Sequence, residues 1–75
     1  MLKEHDRVVL TEDLPGKGLE VGDVGVIVFV PNSGDGYTIE FIALDGSTVA
    51  VTAVGASQVR PVSSSDLPHV RRIPA

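Results

Sequence analysis

The chain has 75 residues, a net charge of −4 and no cysteine. A domain of this size buries only about 60% of the surface of its unfolded chain, and without cysteine it has neither disulfides nor thiolate metal sites to reinforce it. The acidic balance disfavours binding to phosphate backbones, which needs clustered Lys and Arg, and no window is apolar long enough to span a bilayer.

Met1 to Asp6 is a polar lead, too short for a stable helix on its own and without the apolar core of a signal peptide. A cytoplasmic protein is the expectation. Arg7-Val8-Val9-Leu10 is the first predicted strand. Thr11 to Asp23 contains Pro15, Gly16, Gly18 and Gly22. That density of breakers marks a long ordered loop, with Leu14, Leu19 and Val21 as its expected apolar pins. Val24 to Val30 is a strand apolar on both faces, Val26, Val28 and Val30 pointing one way and Ile27 and Phe29 the other. Pro31 to Gly36 is a turn cluster. Tyr37 to Leu44 is the third strand, Asp45-Gly46 a hairpin turn, and Thr48 to Val54 the fourth strand. Gly55 to Gln58 suits one 3₁₀ turn. Val59 to Val62 closes the set, and Pro61 places it at an edge or an end.

Ser63 to Asp66 is a polar linker. Leu67 to Ala75 holds Pro68 and Pro74, which exclude a long helix, so an extended tail is expected there, partly disordered or packed on a neighbouring subunit. The domain is therefore residues 1–62 and the linker and tail are 63–75. Five short strands, one long loop and tight turns predict an all-β fold, a small five-stranded SH3-like barrel with the long loop between its first two strands. An open five-stranded sheet or a different small barrel is the alternative.

Candidate chemistry is sparse. His5 and His69 are the only histidines and lack ligand spacing. The loop glycines do not have phosphate-cradle spacing, and the serines lack a histidine–carboxylate constellation. No catalytic, cofactor-binding or metal-binding residue is assigned, and a non-enzymatic protein is expected. The acidic loop and its surroundings suit a solvated rim, or a face that docks a basic protein. Glu12, Asp13, Lys17 and Glu20 are its candidate partner-contacting residues. Arg71-Arg72 is too short for a nucleic-acid patch and suits a partner contact or a free tail. A small barrel buries one face of each strand, so the second face, with Ile27, Phe29, Ile42 and Val54, is the candidate subunit interface. A homo-oligomer, most simply a twofold dimer, is the expectation. Cover by the loop and by Leu67, Val70 and Ile73 of the same chain is the alternative.

Asp6 to Pro15, then Gly18-Leu19, Gly22-Asp23-Val24-Gly25, Tyr37 to Phe41, Leu44-Asp45-Gly46 and Ser57-Gln58-Val59-Arg60-Pro61 together resemble a small bacterial family of unknown function. The resemblance covers residues 5–62. Its members are stand-alone proteins of about this length, some encoded beside toxin-like genes. It implies an antitoxin or immunity role with a toxin as protein partner, and it carries over no catalytic residue. The expected function is thus a protein-interaction module. The alternatives are a nucleic-acid-binding barrel of the ribosomal type, against which the acidic charge argues, and an accessory subunit of an enzyme.

Overall fold

The runs rich in Val, Ile, Thr and aromatic residues form strands, as their fit to a pleated, half-buried surface dictates, and the Gly- and Pro-rich stretches between them form turns. A computed structural model describes residues 2–73. The expectations for Met1, Pro74 and Ala75 concern residues outside that range. The strands are β1 (Arg7–Leu10), β2 (Val24–Phe29), β3 (Tyr37–Ile42), β4 (Thr48–Val54) and β5 (Val59–Pro61). They make one antiparallel sheet in the order β4-β3-β2-β1-β5. The fold is all-β: a meander whose fifth strand returns to pair with the first, curled around one core as a small barrel-like unit. Two 3₁₀ turns interrupt the connections, Ala56–Gln58 where expected and Pro15–Lys17 inside the long loop, where a plain loop was expected. No helix among the described residues is long and apolar enough to cross a membrane.

Register decides the core. Ile27 lies opposite Ile39, and Val26 opposite Glu40. Paired residues share a face, so β2 turns Ile27 inward with Ile39 and Phe41, and turns Val26 outward with Glu40. Gly25 is on the inner side as well. A Cβ there would come within 2.4 Å of the Ile39 side chain and 2.9 Å of Phe41, so the missing side chain is what lets β3's large residues close over β2. Val54, opposite Tyr37, completes this layer. The core cluster is Val8, Leu10, Leu19, Ile27, Ile39, Phe41, Val54 and Val59.

This corrects the expected second face. Ile27 is fully buried and Val54 is 5% exposed, whereas Phe29 is 53% and Ile42 46% exposed. A strand apolar on both faces carries no alternation to say which face is inner, and only the cross-strand partners settle it. Extra residues at Val28 on β2, between the Ile27–Ile39 and Phe29–Thr38 pairs, and at Val49 on β4, between the Phe41–Ala50 and Ile42–Thr48 pairs, add to the effect. The first breaks the alternation that would put Phe29 on the same face as Ile27.

The chain enters β1 through another bulge. Lys3 to Asp6 is a turn in which the Asp6 N–H donates to the Lys3 carbonyl at 3.1 Å. His5 occupies it with φ +76°, among the described residues the one positive φ outside glycine. The His5 N–H donates to the Ile27 carbonyl and the Ile27 N–H to the Asp6 carbonyl, so His5 and Asp6 together face one residue of β2. That is the glycine-type bulge, built here with histidine.

Candidate interaction surface

The long loop is closed at its base by β1. The Leu10 N–H donates to the Asp23 carbonyl and the Gly22 N–H to the Leu10 carbonyl, both at 2.9 Å. Inside it, Leu14 and Leu19 exchange backbone hydrogen bonds around the 3₁₀ turn. Gly18, at φ +70°, supplies the left-handed residue that ends this turn. Leu19 is buried in the core and Leu14 packs against it, as expected of pins, but Val21 is 59% exposed and pins nothing. The start of the loop is tied across the molecule: the Thr11 N–H donates to the Gln58 carbonyl at 2.8 Å and its hydroxyl to the Ser57 carbonyl at 2.9 Å.

The acidic residues of this loop divide into internal and outward-facing groups. Asp13 Oδ1 accepts the Val21 N–H at 2.8 Å, and Asp23 Oδ2 accepts the Glu20 N–H at 2.8 Å. Glu20 also lies 3.7 Å from the Arg71 guanidinium. Asp13 and Glu20, both expected to meet a partner, thus have work inside the chain. Glu12 and Lys17 are exposed and form no ion pair among the described residues.

The tail is a strap. The Val62 N–H donates to the Arg7 carbonyl at 3.2 Å and so extends the β1–β5 pairing. A turn follows in which Asp66 Oδ2 accepts the Ser63 N–H at 2.7 Å. Asp66 then takes both terminal nitrogens of Arg60 at 2.9 Å, a bidentate pair. Farther on, Arg71 reaches the loop before β2: its Nε donates to Asp23 Oδ1 at 2.8 Å, its Nη2 to Asp23 Oδ2 at 2.6 Å and to the Gly18 carbonyl at 3.1 Å. Arg60 faces Val9, and Val9 faces Val24, the residue after Asp23. The Arg60 clamp therefore stands at one end of a transverse row of the outer face whose other end, Val24, adjoins Asp23 of the second clamp. Between them the strap crosses β1, and Val9 is 7% exposed although it points away from the core. The expectation of a free tail or of a contact for Arg71 on another molecule is corrected here, because Arg71 is used within the chain.

Electrostatics follow the contacts. The Arg71 hydrogen bonds hold the Asp23 carboxyl below the usual carboxylate range, burial opposing them. The Arg60 pair, helped by the Ser63 N–H, holds Asp66 down to about 2. Asp45 is lowered by the hydroxyl and N–H of Ser47, a local turn effect away from the strap.

Between the strap and the sheet lies a groove of about 1050 Å³. Val24, Ile42, Leu44, Leu67, Val70 and Ile73 line it, and all six are exposed, Leu44 at 94% and Leu67 at 90%. Arg7 and Arg72 also line it and make no ion pair among the described residues. Of the four expected interface residues only Ile42 belongs to this groove; Phe29 is exposed elsewhere on the outer surface, and Ile27 and Val54 are inside. The groove was not legible in the sequence as a site, since its walls come from β2, the β3–β4 turn and the tail. The one available signal was the apolar spacing of Leu67, Val70 and Ile73 in an otherwise polar tail. Among the described residues no group of three or more His, Asp and Glu is placed to hold a metal ion.

A family model described as a domain of unknown function, DUF4926, matches residues 4–61. Its match ends where the strap begins. Neither a curated protein nor a solved structure matches the chain.

Proposed function

The chain belongs to the DUF4926 family of domains of unknown function, and we propose that it is a non-enzymatic protein-interaction module that self-associates and takes a second protein in the strap groove. The observation that carries this reading is the convergence of exposed Val24, Ile42, Leu44, Leu67, Val70 and Ile73 on one concave surface. Apolar side chains gathered on one side of a small protein mark a contact surface. The guanidinium groups of Arg7 and Arg72 at the same groove favour a partner segment with an acidic residue beside its apolar ones. In its specific form the module is an antitoxin or immunity protein, and the partner is the product of a toxin-like gene encoded beside it.

The test is calorimetric titration of that neighbouring product into the purified chain, with co-expression to score neutralisation. Saturable binding that Leu67→Asp weakens at least tenfold, about 1.4 kcal/mol, is expected. Absence of binding removes the specific form. A mass by light scattering that stays monomeric at hundreds of micromolar removes self-association.

A further inference from the structure

We propose that β4 is the self-association surface, and that its occupant is the β4 of a second copy, paired antiparallel across a twofold axis. This rests on the self-association reading above and adds its location. The sheet ends in β4 on one side and β5 on the other. The β5 edge is guarded: it has three residues, one of them Pro61, and Arg60 is clamped to Asp66 of the strap. Short length, proline and cover are the usual devices against edge pairing.

The β4 edge has none of these three; its one irregularity is the extra residue Val49 near its start, and Ala50 to Val54 pairs regularly with β3. Thr48–Val54 is seven residues long, Thr-Val-Ala-Val-Thr-Ala-Val, without proline, glycine or charge. Apart from its ladder to β3, no backbone hydrogen bond to these residues is present among the described residues. Its outer row of N–H and C=O groups is therefore a template for another strand.

Charge selects the second copy. Two chains of net charge −4 repel, but from Gly46 to Val59 no residue is ionisable. This is where two copies can touch without juxtaposing like charges. The partner strand is equally neutral and of equal length, so pairing covers both edges at once and leaves no overhang. Centred pairing sets Val51 against its symmetry mate and Ala50 against Thr52, within the regular part of the strand. Val51 is 53% exposed, and its outward-facing side chain, opposite Glu40, joins the contact.

The experiment compares the full chain with Val51→Lys/Ala53→Lys by sedimentation equilibrium. Edge lysines block strand pairing. Both positions are exposed, so the unfolding midpoint is expected to stay close to that of the unsubstituted chain. The expected result is a dimer whose dissociation constant rises at least tenfold in the lysine variant and stays unchanged in Leu67→Lys. Amide exchange on the unsubstituted protein needs no variant: β4 amides facing away from β3 are protected when dimeric and lose protection on dilution. A dimer indifferent to the lysines, or with unprotected β4 amides, overturns the edge placement and leaves self-association standing. A chain that is monomeric throughout overturns both.

Discussion

Replacing Gly36 with alanine tests how tightly β4 is held to the start of β3. Gly36 has φ +105°, and a Cβ built on it would lie 2.1 Å from the Val54 carbonyl oxygen. Gly46, in the β3–β4 turn, has φ +89° and open space around its Cβ. Both substitutions place an L side chain in left-handed backbone, at about 1–2 kcal/mol each. Gly36→Ala alone must also displace a backbone carbonyl. That carbonyl belongs to Val54, paired with Tyr37 and buried in the core, so it yields only by opening the end of the ladder. Forced overpacking of this kind costs about 1–3 kcal/mol. Gly36→Ala is therefore expected to lose about 2–5 kcal/mol and Gly46→Ala about 1–2. Against the roughly 4–11 kcal/mol expected of a domain this size, the first approaches unfolding and the second does not. Urea titration followed by far-ultraviolet circular dichroism measures both, provided that the slopes agree. Equal losses, within about 0.5 kcal/mol, would show that the contact with Val54 counts for nothing and refute the reasoning.

His5→Gly removes a left-handed histidine and is expected to stabilise the fold by about 0.5–1 kcal/mol, the gain in strain exceeding the entropy that glycine loses; a lower urea midpoint would contradict the bulge. Because the folded pKa values of Asp23 and Asp66 lie below the unfolded value of 3.8, their clamps contribute above about pH 4 and are lost as pH falls towards 2. Amide chemical shifts of residues 67–73 should move to unstructured values across that interval, and shifts constant from pH 5 to 2 would exclude the clamps. Arg71→Gln should free the same residues at neutral pH, seen as lowered heteronuclear NOE values, while the barrel's unfolding midpoint changes little, since surface ion pairs contribute little to global stability. A tail as rigid as before would assign its order to packing instead.

Much of this was legible locally. The loop and turn at Pro31–Gly36, the turn at Asp45–Gly46 and the 3₁₀ turn before β5 are written in residues that favour those backbone angles, and β1 and β4 coincide with their predicted spans. The neutrality of Thr48–Val54 is likewise a property of sequence alone. Tertiary structure decided the rest. Which face of β2 is inner depends on Ile39 and Glu40, since Val, Ile and Phe on both faces give alternation nothing to act on. The strap depends on Arg71 meeting Asp23, 48 positions apart, and no local pattern selects that carboxylate from the others in the acidic loop. Local backbone preference acts over a few residues and is readable there; the choice of inner face and of ion-pair partner comes from chain closure, which exists only once the sheet has formed.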